Sequence, residues 1–377
     1  MTGTDWLPTQ AMVFTGVGED LELADVEVSA PQPGEVLLSV AACGACHSDV
    51  HKLQGHGLVP PPCVFGHELS GTVERVGSAV RHLRPGDRVV CSFLVPCGEC
   101  VACRDGATDE CGPFRATMQR TGVRFDGTHR YRRRTGDPLG ASGVGGLARR
   151  VALPATAVFP LPHDWPSRIS LTDAAVLGCA GLTAYGAVHR AAGLAEGERA
   201  VVIGAGGVGL CVTALAVHAG AAAVVATDLK PEAREAAIGF GAAAALDGGA
   251  SDLAGRALAA LGGPPQVVFD TIGTPGTLDQ AQQLVGVGGR IVVTGLGGTS
   301  GPGRIPDLTV FVRRKIALIG SYAGVPREDM PHLLAAVGRG ALDPAALVSA
   351  RFPFQRASDA YAAVAGHEIV GRALIEY

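Results

Sequence analysis

The chain has 377 residues and is 47% hydrophobic, which is long for one ordinary domain and leaves apolar material enough for two cores. Lys and Arg number 31 against 35 Asp and Glu, a formal net charge of −4, which excludes a global basic surface for nucleic acid and a polybasic tail for anionic lipid. No apolar run approaches the roughly 20 residues that a bilayer span requires.

The opening stretch, MTGTDWLPTQ, has neither the basic region nor the apolar region of a signal peptide, so the expectation is a cytoplasmic protein. To about residue 165 the chain is rich in Val, Gly and Pro, with short apolar runs such as Gly34–Ala41 and Gly71–Val76. Turn signals such as Arg84-Pro-Gly-Asp-Arg88 separate them, and this texture predicts a β-rich domain of short strands. Within it, Cys97, Cys100, Cys103 and Cys111 are spaced C-x2-C-x2-C-x7-C. Packing does not ask for four thiols in so short a loop, whereas a tetrahedral zinc site with no open position does. That spacing predicts a structural metal and directs attention to a second, chemical one. Ten cysteines with such short spacings are read as reduced thiols and metal ligands, not disulfides. The arginines at 130, 132, 133, 134, 149 and 150 are read as a solvated loop face, with attraction of an anionic substrate or partner as the sharper alternative.

From about residue 170 apolar strands alternate with Ala-rich helical stretches. Strands are predicted at Ala200–Ile203, Ala222–Thr227, Gln266–Phe269 and Arg290–Thr294, and helices at about 207–219, 231–240 and 276–285. Such alternation predicts a parallel sheet covered on both faces. After about 325 the elements are mixed, and Gly371–Tyr377 reads as a final strand. The strand at 200–203 runs into Gly204-Ala-Gly-Gly-Val-Gly209, so Gly204, Gly206 and Gly209 form G-x-G-x-x-G, with Gly207 and Val208 in the same turn. The glycines permit the turn and the approach of a pyrophosphate, and the helix N-terminus offers it free N–H groups. Asp228 ends the next strand, where a carboxylate accepts from the adenosine ribose hydroxyls and repels a 2′-phosphate. NAD is therefore expected over NADP, with Lys230 nearby leaving some room for the latter.

Three further segments carry metal-type side chains: Cys46-His-Ser-Asp-Val-His51, Gly66-His-Glu68 and Gly178-Cys179. A catalytic zinc needs three protein ligands and an open position. Cys46, His67 and Cys179 are the right types, but composition alone does not join them.

The pattern Gly66-His-Glu-x-x-Gly71-x5-Gly77-x2-Val80 resembles the zinc signature of the medium-chain alcohol dehydrogenases. The four-cysteine cluster, the cysteine before His-Ser-Asp and the later dinucleotide motif follow that family's order, so the resemblance covers essentially the whole chain. It implies an α/β protein: a GroES-like β-rich catalytic domain over 1–180, completed by 322–377 and carrying a structural zinc lobe at about 95–113, plus a Rossmann NAD-binding domain over 181–321. It also implies two Zn2+ per subunit, bound NAD(H), an active site in the cleft between domains, and a homodimer or homotetramer. The partner implied is a small-molecule substrate, an alcohol or an aldehyde or ketone, with no nucleic acid and no membrane.

By position, Cys46, His67 and Cys179 resemble the catalytic zinc ligands, and Glu68 the carboxylate beside them. Asp49 resembles the group that orients the ligand histidine, and Ser48 and His51 a proton relay to solvent. His47 and Arg372 match positions that contact the pyrophosphate, Thr183 and Gly320-Ser-Tyr322 fall near the nicotinamide, and Phe93 matches a substrate-pocket position. Two other readings remain. One is a thiol-dependent formaldehyde dehydrogenase, with Arg115 meeting the carboxylate of a glutathione or mycothiol adduct; the other is a non-catalytic NAD-binding protein. The small residues Ala141, Ser142, Gly143, Gly145 and Gly146 hint at room for a bulky substrate.

Overall fold

A computed structural model describes residues 5–297, 303, 305 and 307–377. The chain divides into two compact units. The first comprises the residues up to Cys179, Val325–Gly338 and Pro344–Tyr377; the second comprises Ala180–Gly324 and Arg339–Asp343.

In the first unit, Trp6–Phe14, Glu22–Ser29, Tyr131–Arg133, Pro138–Ala141 and Cys63–Val64 close a barrel. Beside it lies a seven-stranded sheet. Its central strand, Glu35–Ala45, pairs antiparallel with Glu68–Val76, Arg150–Pro154 and Arg372–Glu376. A strand with covered faces needs a near-continuous apolar run, and Val36, Leu37 and Leu38 are wholly buried in succession. The last strand of the chain thus sits beside one of the first, with Ala373 opposite Ala45. The register also sets Gly44 opposite Glu68. These pairings bring residues 42–46, 67–69 and 372–373 together.

The arginine-rich segment departs from the solvated loop read from sequence. Tyr131–Arg133 is a barrel strand paired with Glu22–Ser29, and acidic side chains of neighbouring strands meet the guanidinium groups. Arg132 lies 2.6 Å from Glu27, Arg133 2.7 Å from Glu22, Arg134 3.6 Å from Asp25 and Arg150 3.0 Å from Glu74. Arg130 is buried, its Nε donating to both oxygens of Glu35 at 3.1 and 2.9 Å while its Nη2 lies 2.7 Å from Asp126. Arg130 is neutralised inside the fold, while Arg134 and Arg150 keep exposed surface, 64% and 39% of their side chains. The small residues at 141–146 also have a packing role. A Cβ on Gly143 would lie 2.8 Å from the His67 Cβ, and one on Gly146 2.7 Å from Leu69 Cδ2. Their smallness lets this loop close on the 66–69 segment.

In the second unit a six-stranded parallel sheet runs in the order Ala244–Asp247, Ala223–Asp228, Arg199–Ile203, Val267–Asp270, Arg290–Val293, Ala317–Gly320. Helices Gly207–His218, Pro231–Gly239, Leu253–Leu261 and Pro275–Leu284 connect or flank these strands. Val201, Val225, Val268 and Ile291 are wholly buried in its core with Leu253, Leu261 and Leu284 packed on them. Each such side chain contributes about 1.5–3 kcal/mol when buried. Helix Gly207–His218 is apolar on every side and buried from Gly209 to Ala216, as a helix at the heart of such a unit must be. Pro275–Leu284 starts at a capping box between Thr274 and Thr277, with Pro275 in its first turn.

Candidate metal centres and dinucleotide turn

The four sulfurs of Cys97, Cys100, Cys103 and Cys111 lie within 4.8 Å of one another. Cys97 Sγ is 4.0 Å from Cys103 Sγ, and Cys100 Sγ is 4.0 Å from Cys111 Sγ. Zinc–sulfur bonds of about 2.3 Å in a tetrahedron set sulfur–sulfur edges of about 3.8 Å, so the four thiols fit the ion. Backbone N–H groups of Cys97 and Phe114 donate to Cys111 Sγ at 3.2 and 3.5 Å, and those of Glu99 and Cys100 to Cys97 Sγ at 3.4 and 3.3 Å. Such donors favour the thiolate form. A hydrogen bond from the Cys103 backbone draws the Cys100 thiol down to about 7, while burial pushes Cys103 up to about 12.

A second group is formed by Cys46, His67, Glu68 and Cys179, all buried, with one ligand atom each inside 4.8 Å. Cys46 follows strand Glu35–Ala45 and precedes the short helix His47–His51; His67 precedes and Glu68 opens the neighbouring strand Glu68–Val76; Cys179 follows the turn Asp173–Gly178. Asp49, with no exposed surface, fixes the imidazole: its Oδ2 lies 2.9 Å from His67 Nδ1. This is an ion-pair approach and not a well-aligned hydrogen bond. Lys52 Nζ donates to Asp49 Oδ1 at 2.7 Å and the Tyr361 hydroxyl to Oδ2 at 3.3 Å. With Nδ1 engaged, Nε2 is the nitrogen left for the sulfurs, and Ser48 Oγ stands 3.4 Å from both Nε2 and Cys46 Sγ. The Phe93 ring packs edge-on against His67, centroids 6.0 Å apart.

The electrostatics of this group call for a cation. A hydrogen bond from Cys179 holds Cys46 well below the ordinary thiol range, and the same contact, with burial, pushes Cys179 well above it. Burial raises Glu68 to about 7, although Arg372 Nε donates to its Oε1 at 3.2 Å. Glu68 Oε2 has no hydrogen-bond partner, and a buried carboxylate oxygen in that state needs a proton or a cation. Burial opposes charge on His67, yet Asp49 and Cys46 outweigh it and hold the ring protonated to about 10. A soft divalent ion would replace these protons, and the donor set of two thiols, an imidazole and a carboxylate suits zinc.

His47 stacks on His367 with ring centroids 5.0 Å apart and lies 6.1 Å from the ring of His51. Arg372 is 9% exposed and engaged with Glu68. Arg115 is exposed and donates to the Asp109 carbonyl at 3.4 Å. Lys52 and Tyr361 were not anticipated as partners of Asp49. Tyr361 is 312 positions away, and no local pattern announces it.

In the second unit, Gly204 takes φ +91° at the end of strand Arg199–Ile203. A Cβ on Gly209 would lie 1.8 Å from the Gly204 carbonyl oxygen, so only glycine lets the helix start this close to the strand. A Cβ on Gly206 would meet no protein atom within 4 Å. Protein packing does not demand glycine there, whereas close approach of a pyrophosphate does. Gly207 and Val208 begin the helix. Asp228 Oδ2 accepts from the Ala205 N–H at 2.8 Å and Oδ1 from the Lys230 N–H at 2.9 Å, which aims the carboxylate beside the turn. Thr183 is buried on helix Ala180–Tyr185, and Gly320-Ser321-Tyr322 leaves the edge strand with Tyr322 43% exposed.

Comparison with known proteins gives the family. Residues 32–163 match the alcohol dehydrogenase GroES-like domain and residues 207–339 the zinc-binding dehydrogenase family. The chain is 32% identical over 367 residues to an NDMA-dependent alcohol dehydrogenase of Amycolatopsis methanolica, covering 94% of this chain and 95% of that one. It is 31% identical over 334 residues to a probable S-(hydroxymethyl)glutathione dehydrogenase of Schizosaccharomyces pombe, covering 86% and 85%. The crystal structure of benzyl alcohol dehydrogenase from Acinetobacter calcoaceticus superimposes with a TM-score of 0.89 at 26% identity, covering 98% of this chain and 99% of that one. The chain belongs to the zinc-dependent medium-chain alcohol dehydrogenase family.

Proposed function

We propose that this protein is an NAD-dependent zinc alcohol dehydrogenase that interconverts an alcohol with its aldehyde or ketone. The observation that carries the reading is the buried convergence of Cys46, His67, Glu68 and Cys179. In this reading Cys46, His67 and Cys179 hold a catalytic zinc with Glu68 beside it, and the four clustered cysteines hold a structural zinc, two ions per subunit. When bound, the metal would supply Lewis acidity that brings a hydroxyl toward the neutral ionisation range, and the dinucleotide would supply the hydride acceptor.

The remaining work falls to the chain. Asp49 holds the His67 ring with Nε2 toward the sulfurs, as a ligating imidazole requires. Ser48, whose Oγ lies beside Nε2 and Cys46 Sγ, accepts the hydroxyl proton, and His51 on the same helix passes it to solvent. Phe93 contributes an apolar wall against His67. The Gly204–Gly209 turn and Asp228 bind the dinucleotide, with Lys230, Thr183, His47 and Arg372 as further cofactor contacts. The aldehyde or ketone leaves one hydride and one proton poorer than the alcohol, so the reaction balances.

We also propose a cytoplasmic homodimer or homotetramer. Ala317–Gly320 ends the parallel sheet as an edge strand with Leu318 42% exposed, and helix Leu308–Arg313 leaves Leu308, Val310 and Val312 at 65%, 44% and 69%. An edge with such apolar surface favours self-association.

A panel of alcohols of graded size, run with NAD+ and with NADP+, tests the reading. Alcohol-dependent NADH formation supports it, and NADH binding without turnover on any substrate contradicts it. The similarity to a glutathione-linked dehydrogenase supports a second reading. Formaldehyde oxidation that depends on added glutathione or mycothiol would select it.

A further inference from the structure

In the pairing of strands Glu35–Ala45 and Glu68–Val76, Gly44 stands opposite Glu68. Gly44 is not among the residues at positive φ, so its backbone is open to any side chain. Glycine inside a strand weakens it and marks a close approach. Here the approach is by the Glu68 side chain. A Cβ on residue 44 would lie 2.2 Å from Glu68 Oε2, 2.9 Å from its Cβ and 3.0 Å from its Cδ. The carboxylate is wholly buried, with Oε1 accepting from Arg372 at 3.2 Å and one oxygen within 4.8 Å of the donors of Cys46, His67 and Cys179.

We propose that Gly44 is a positioning residue for Glu68: the space left by its missing side chain holds the carboxylate between Arg372 and the Cys46–His67–Cys179 donors. The effect on the metal rests on the reading of that quartet as the zinc site. A methyl group at 44 collides with Oε2 first, so the carboxylate must turn away from Arg372 or from the quartet. Turning the carboxylate relieves the 2.2 Å approach to Oε2, and the 2.9 Å approach to the Glu68 Cβ remains as a smaller strain between the strands. A turn of the carboxylate removes a donor and a charge from around the metal, and the loss of such support weakens metal binding by about 10–100-fold.

The experiment is a cycle of Gly44→Ala, Glu68→Ala and the double variant, in the full-length zinc-loaded enzyme. Melting temperature, zinc content and the rate of zinc transfer to a chromogenic chelator are measured for each. Gly44→Ala is expected to melt lower than wild type and to release zinc about tenfold faster or more. In the Glu68→Ala background the Oε2 and Cδ collisions are gone and only the 2.9 Å approach of the two Cβ atoms remains, so the same substitution is expected to cost less in melting temperature and to leave the release rate unmoved. Wild-type release from Gly44→Ala, or an equal melting loss with and without the Glu68 carboxylate, overturns the proposal. If Gly44→Ala fails to fold, recovery of folded protein on adding Glu68→Ala supports it, and failure of the double variant overturns it. A wild-type enzyme that binds no zinc at the quartet would refute the metal reading, and the melting cycle alone would then decide the coupling of Gly44 to Glu68.

Discussion

Asp49→Asn probes how much the surroundings of the metal ligands matter. Asp49 is fully buried and faces three groups: His67 Nδ1 at 2.9 Å, Lys52 Nζ at 2.7 Å and the Tyr361 hydroxyl at 3.3 Å. The substitution keeps the volume and removes the charge. Lys52 is 25% exposed, so its ammonium regains water and contributes little to the loss. His67 and Tyr361 are 4% and 2% exposed and do not regain it. His67 loses the charge that fixes its ring and raises its basicity as a ligand. Removal of such a partner weakens metal binding or activity about 10–100-fold, equivalent to about 1.4–2.7 kcal/mol. Chelator competition gives zinc affinity and steady-state kinetics give kcat/KM, with Lys52→Ala as the control for the exposed partner. Both quantities are expected to fall in Asp49→Asn and to change little in Lys52→Ala. Equal losses in the two variants, or none in Asp49→Asn, would refute the assignment of Asp49 to the imidazole.

Cys103→Ala is expected to lose one zinc and to melt far below wild type while NADH affinity measured by fluorescence stays near the wild-type value, because structural zinc in small folds is worth roughly 10–16 kcal/mol. Arg130→Ala strands Glu35, a carboxylate only 5% exposed, and chemical denaturation should show a loss of about 3–5 kcal/mol. Zinc affinity of the metal-free enzyme should rise with pH from about pH 6 to pH 9, because the His67 ring, held protonated to about 10, and the raised Cys179 thiol must each lose a proton when zinc binds. Calorimetry in buffers of different ionisation enthalpy reads that release directly, and a pH-independent affinity would count against the donor set. Asp228→Ser removes the carboxylate that faces a 2′-phosphate, so the ratio of NADP+ to NAD+ use should increase.

Local chemistry was legible in the sequence and long-range chemistry was not. The four clustered cysteines announce a metal because their spacing is itself the geometry. The dinucleotide turn is equally local: strand, glycines and helix follow one another. Cys46, His67 and Cys179 became a set only through resemblance to a family. In the structure Cys46 and His67 are brought together by strand pairing across the Glu35–Ala45 strand, which no single segment encodes. The contacts of Tyr361 with Asp49 and of Arg372 with Glu68 span 312 and 304 positions and leave no local trace. Two strands of the parallel sheet, Ala244–Asp247 and Ala317–Gly320, were not anticipated either. Ala-Ala-Leu-Asp reads as helix by propensity, and pairing with Ala223–Asp228 overrides it. The arginines at 130–134 looked like a loop because their acidic partners lie about 90 to 110 positions upstream, on the strands they pair with or pack beside.

The most direct test of the account is zinc content measured beside alcohol-dependent NADH formation in the wild type and in Cys46→Ala. The account predicts two zinc ions per subunit in the wild type, one in the variant, and loss of turnover with the fold intact. A Cys46→Ala enzyme that keeps both ions and wild-type turnover would contradict it.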